Sequence, residues 1–200
     1  MFKEVIGEQG ERKERIHPPK IFVFIDGPYL SKAVNALGLR ERNMDLDFQK
    51  MLGYLADPKK SELVGACYYS GLSFSASAQP FFQKLKNFGY EVIVGEENPV
   101  TGKVAPVDHQ LLTDLCLDKD NYDIATVVSG DGDFAYAIES LVIRFGKKVN
   151  IVATRSNIST NLLALANRYP SQVRILFLEE HYQWFTMRRV LKNGKKNTGK

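Results

Sequence analysis

The chain has 200 residues, 44% of them hydrophobic, with a formal net charge of +4 and two cysteines. That composition suits one globular domain with a full core, and no apolar run approaches the ~18 residues a membrane helix needs. The first twenty residues are polar and lack the apolar core of a secretory signal. Cys67 and Cys116 stand far apart in apolar stretches, without a partner Cys or His at metal-ligand spacing. The expectation is a cytoplasmic protein with buried free thiols, no structural zinc and no membrane partner.

The charge is unevenly placed. Residues 186–200 hold six Lys/Arg and no acid, while residues 1–20 hold five Lys/Arg against four Glu. The remainder, 21–185, therefore carries three net negative charges. The domain reading is a polar arm over 1–19, a folded domain over 20–185 and a basic tail over 186–200. Such a tail suits a polyanion, held through phosphate contacts that weaken with salt, although a solvated terminus that aids only solubility has the same composition.

In chain order, residues 21–25 form an apolar strand of the kind buried on both faces. A helical stripe follows over 29–37, stopped by Gly38. Asp45 or Asp47 caps a second helix that runs to 55. Strands are predicted over 63–69 and 91–94, with a helix over 80–88 between them that ends at Gly89. After a polar loop, a helix starts at Asp108 and runs to 117. Strand 122–128, helix 135–145, strand 149–153, helix 158–168 and strand 173–178 complete the pattern. Strands alternating with ten-residue helices argue an α/β fold of three layers, α/β/α, around a mostly parallel, Rossmann-like sheet.

In such a sheet the carboxyl ends of the strands share one edge, where ligands bind. Strand one ends at Asp26-Gly27. Strand four runs into Ser129-Gly130-Asp131-Gly132-Asp133-Phe134. Asp108 opens its helix at the same edge, whereas Asp114, six residues on, lies about 240° around the helix and faces elsewhere. Each acid alone has a structural alternative as a helix cap or a turn residue. Together, carboxylates converging in one crevice repel one another unless a hard cation such as Mg²⁺ or Mn²⁺ neutralises them. Lys103, in the preceding loop, is a candidate phosphate contact. Gly130-x-Gly132 lacks the spacing of a dinucleotide or P-loop, and no Gly-x-Ser-x-Gly elbow is present. Spacing alone does not name the substrate.

Three elements carry a family likeness: Phe24-Ile25-Asp26-Gly27; Val107-Asp108 with Leu111 and Asp114; and Ser129-Gly130-Asp131-Gly132-Asp133-Phe134. With Gly146-Lys147-Lys148-Val149 and Ser159-x-x-Leu162-x-x-x-Ala166, they resemble the NYN domain, the LabA-like branch of the PIN-like nuclease superfamily. The resemblance runs from about residue 20 to 178. It implies a PIN-like fold and Mg²⁺- or Mn²⁺-dependent cleavage of RNA, with Asp26, Asp108, Asp131 and Asp133 as the catalytic and metal-binding acids. Two positions depart from the family pattern: Tyr29 stands where Asn is usual, and Asn167 where Asp is common. A tyrosine is a poor metal ligand but can stack on a base. RNA contacts are therefore expected from Tyr29, Lys103, Arg188, Arg189, Lys192, Lys195 and Lys196. The expected function is a metal-dependent ribonuclease, endonucleolytic on single-stranded RNA, with a homodimer compatible. The rival readings are a catalytically weakened RNA-binding or adaptor module and a phosphoryl-transfer enzyme acting on a small substrate.

Overall fold

The computed structural model describes residues 17–72 and 75–189. Fifteen helices and strands follow in chain order: β1 (Lys20–Asp26), α1 (Gly27–Ala36), β2 (Met44–Leu46), α2 (Phe48–Leu55), β3 (Glu62–Ser70), α3 (Gln79–Asn87), β4 (Glu91–Val94) and α4 (Asp108–Leu117). Then come β5 (Ile124–Val128), α5 (Ala135–Phe145), β6 (Lys148–Ala153), α6 (Thr160–Arg168), β7 (Val173–Phe177), α7 (Leu178–His181) and β8 (Thr186–Arg188). Among the described residues no helix is long and apolar enough to cross a membrane.

Six strands form one parallel sheet in the order β4-β3-β1-β5-β6-β7. The chain builds outward from β1 in one direction, then returns and builds outward in the other. The reversal opens a crevice between the carboxyl ends of β1 and β5, the topological switch point of a doubly wound sheet. All six predicted strands are present, and the three-layer α/β/α architecture is as expected. Six of the seven residues of β1 are buried, which explains its unbroken apolar run. Phe22 and Phe24 stack at 4.5 Å between ring centres, and Tyr122 packs edge-on against both. The Tyr122 hydroxyl donates to the Leu115 carbonyl at 2.6 Å, anchoring the start of β5 under α4.

Local signals set several helix ends. Asp47, not Asp45, caps α2, its carboxylate accepting the Lys50 N–H at 3.0 Å. Gly146 ends α5 in the left-handed region, φ 64°, where a side chain would be strained.

The ribbon β2–β8 escaped the sequence reading. It pairs Met44 with Arg188 and Leu46 with Thr186, in antiparallel register. Each strand is three residues long, too short for an alternating pattern to register. Folded structure therefore continues past residue 185: Thr186 is buried, and Arg189 bonds Asp45 through two nitrogens, at 3.0 and 2.5 Å. The Arg189 hydrogen bonds, with Arg40 and Lys84 nearby, hold the Asp45 carboxyl below the ordinary 3.8. A carboxyl lowered on folding stabilises above its unfolded pKa, and that contribution fades as pH falls through the folded value. Asp45→Asn is expected to melt below the wild type at neutral pH, with the gap closing below about pH 4. Paired thermal melts across that range check it.

The thiols divide. Both are free, Cys67 buried on β3 and Cys116 exposed. The expectation of two buried thiols is corrected here, because α4 turns Leu111 and Leu115 inward and the next residue faces out. Burial, reinforced by Glu91, pushes the Cys67 thiol up to about 12. A maleimide is expected to label Cys116 alone in the native protein and Cys67 only after unfolding. Mass spectrometry of the labelled peptides reads the result, and rapid labelling of both would contradict this packing.

Candidate active site

Asp26 ends β1 and caps α1, and these two roles fix its carboxylate at the switch point. One oxygen, Oδ1, accepts the Tyr29 N–H at 2.8 Å. The other, Oδ2, accepts from the Ser129 hydroxyl at 3.0 Å, across from the end of β5. Ser129 Oγ in turn accepts the Asp131 N–H at 3.2 Å, and the Asp131 carboxylate accepts the Asp133 N–H at 3.1 Å. A single thread of hydrogen bonds thus ties the two strand ends together. Asp26 is only 5% exposed. Burial raises its pKa; the two hydrogen bonds oppose that, and the charges of Asp108 and Asp131 push it further up. The field at Asp26 therefore brings together one buried carboxylate, half-buried Asp108 and exposed Asp131.

The other acids are placed differently. Asp108 is the first residue of α4, behind buried Val107, and no side-chain cap bond occupies that helix start. Asp114, on another face of α4 as the helical angle requires, accepts the Tyr69 hydroxyl at 2.8 Å. Asp133 is exposed and lines a groove between α5 and α6 with Tyr136, Glu139, Asn161 and Arg168. Asn167 is exposed on α6.

Among the described residues, no three His, Cys, Asp or Glu side chains converge as a ready-made metal cage. Mg²⁺ does not need one: it keeps several waters and is commonly held by one or two carboxylates plus substrate phosphates. A buried carboxylate within electrostatic reach of two others, none of them paired with a cation in the described ion pairs, fits that manner of binding. Asp26, Asp108 and Asp131 are the residues that would hold such an ion.

Tyr29 is a correction. Its ring is 7% exposed, so it offers no stacking surface, and its hydroxyl accepts the Thr154 N–H at 3.0 Å. The residue sits on the inner stripe of α1 with Leu30 and Ala33, and it packs against the β5 turn. A Cβ on Gly130 would lie 2.7 Å from the Tyr29 hydroxyl and 2.3 Å from the Asn157 carbonyl, so only glycine allows this approach. Arg189 is also spoken for by Asp45. Lys103 and Arg188 are exposed. Lys192, Lys195 and Lys196 lie outside the described residues. Ser129 was missed as a site residue, although its position just before Gly130-Asp131 at a strand end was the available signal.

The six-stranded parallel α/β/α sheet with carboxylates at its switch point is consistent with a PIN-like fold. The chain belongs to the NYN domain family, whose model matches residues 20–173. It is 28% identical over 160 residues to the low amplitude and bright protein LabA of Synechococcus elongatus, covering 76% of this chain and 83% of that one. A crystal structure of a Vibrio parahaemolyticus protein of unknown function shares the fold at a TM-score of 0.65 and 20% identity. That similarity covers 87% of this chain and 99% of the other.

Proposed function

We propose that this protein is an Mg²⁺- or Mn²⁺-dependent ribonuclease that cuts single-stranded RNA internally. The observation that carries the reading is Asp26: a buried carboxylate, oriented by Ser129 and the Tyr29 N–H, with Asp108 and Asp131 close enough to bear on it. Membership of the NYN family supports nuclease chemistry. When bound, the ion supplies a nucleophilic water at neutral pH and neutralises charge on the phosphodiester. The chain's own part is positional. Ser129 holds Asp26 through its hydroxyl and the Asp131 main chain through its oxygen, so both acids stay fixed without reorganising during reaction. Exposed Asp131 and half-buried Asp108 form the solvent side of the crevice, where a phosphate approaches.

A second reading, an RNA-binding module without turnover, rests on Tyr29, which stands where the family pattern has Asn. One assay separates the readings. The full chain is incubated with end-labelled single-stranded RNA and Mg²⁺ or Mn²⁺, with and without chelator. Internal cleavage that stops on chelation and in Asp131→Asn supports the ribonuclease. Binding without cleavage under either ion selects the module, and turnover of a small phosphate ester alone selects the phosphoryl-transfer enzyme. A cut after Arg189 spares β8 and removes four lysines. It is expected to lower the salt slope of RNA binding by about 3 units, at ~0.7 per single-strand phosphate contact. An unchanged slope would put the contact surface on the folded body.

A further inference from the structure

On the α1–α3 side of the sheet, next to the acidic crevice, the chain forms an open pocket of about 390 Å³. Its walls are apolar: Leu30 and Val34 from α1, Phe48 from α2, Tyr68 from β3, and Phe81 and Leu85 from α3. Phe48 meets Tyr68 and Phe81 edge-on, at 5.7 and 5.5 Å between ring centres, which holds the aromatic wall in one arrangement. The β2–β8 ribbon adds Leu46 and Met187 to the lining.

The rim is cationic. Arg40, Lys84 and Arg189 line the cavity with a single acid, Asp45, leaving two positive charges in surplus on a body that is otherwise acidic. Asp45 occupies the Arg189 fork. Arg40 and Lys84 are exposed and enter no ion pair among the described residues, although Lys84 Nζ lies 5.7 Å from the Phe88 ring centre. The size falls within the range of small-molecule sites, and such sites join an apolar body to a few convergent polar groups. A ligand that matches both features has an aromatic or aliphatic body and one anionic head.

We propose that this cavity binds a small amphipathic anion, its apolar body against Phe48, Tyr68 and Phe81 and its carboxylate, sulfonate or phosphate between Arg40 and Lys84. The site is distinct from the crevice but shares a wall with it. Tyr68 is that wall: its hydroxyl would lie 2.7 Å from a Cβ placed on Gly27, the residue after Asp26. The charge surplus decides for an anion, since surplus positive charge at the rim attracts an anionic head and repels a cationic one.

The full chain is titrated with the fluorescent anion 8-anilinonaphthalene-1-sulfonate and, separately, with neutral N-phenyl-1-naphthylamine. The sulfonate is expected to saturate one site per chain and to bind roughly tenfold tighter than the neutral dye, the scale of one charge-assisted contact. The double substitution Arg40→Ala with Lys84→Ala should erase that preference. Ser31→Trp, placed at an exposed position on the cavity mouth, should block both dyes with an unchanged circular dichroism spectrum. Equal binding of the two dyes would mark an apolar face that another protein surface covers, and would overturn the proposal. So would sulfonate binding indifferent to Ser31→Trp, or displacement of the sulfonate by excess single-stranded RNA. None of these readouts depends on RNA cleavage, so the proposal fails or stands apart from the ribonuclease reading.

Discussion

Asp26→Asn is expected to abolish RNA cleavage, by about 10³-fold or more, while the melting temperature stays level or rises. The two effects run in opposite directions for one reason. Burial makes the charged form of Asp26 costly, and Asp108 and Asp131 add repulsion. Asparagine has the same shape and no charge. Its Oδ1 retains the Tyr29 N–H, and its amide can donate to Ser129 Oγ once that hydroxyl rotates. The fold therefore keeps its contacts and loses a repulsive group, whereas a cation loses its buried carboxylate. Active sites commonly carry such local instability for the sake of chemistry. Thermal melts and the labelled-RNA assay on the same preparation read both quantities, with RNA affinity expected to persist. Retained cleavage would exclude Asp26 from the reaction; collapse of the fold would mean that its charge is structural.

Tyr29→Asn, which would restore the residue expected from the family pattern, is predicted to destabilise the protein by ~3–5 kcal/mol. The tyrosine ring is buried between α1 and the β5 turn, and its loss leaves a cavity that asparagine does not fill. The Thr154 N–H also loses its acceptor. Tyr29→Phe isolates that second loss, since the ring remains, and should cost ~1–3 kcal/mol. Urea unfolding of both variants separates packing from hydrogen bonding. A stable Tyr29→Asn variant with higher turnover would show that the position is tuned for chemistry. The packing predicts the reverse: the ring supports Gly130, and without it the Ser129–Asp131 segment that orients the acids loosens.

Much of this site is visible in the chain before any folding is considered. An unbroken apolar strand followed by Asp26-Gly27, and another followed by Ser129-Gly130-Asp131, place carboxylates at strand ends because both signals are local. Helix caps such as Asp47 and stops such as Gly146 are local as well. The same geometry placed Asp114 off the face of Asp108, where it meets the Tyr69 hydroxyl. The six strands of the main sheet, their alternation with helices and the acids at their ends are therefore legible locally.

Contacts between distant residues were decided only by tertiary structure. The order β4-β3-β1-β5-β6-β7 puts Asp26 and Ser129 side by side, 103 residues apart in sequence. The same assembly buries Tyr29 under Thr154, so a residue that looked available to a base became part of the packing. It also recruits Thr186–Arg188 into a ribbon with Met44–Leu46 and spends Arg189 on Asp45, 144 positions away. A three-residue strand has too few positions to show a period, and a charge in a basic run gives no sign of its partner. Such pairings depend on which surfaces the sheet brings together, and local patterns carry no record of that.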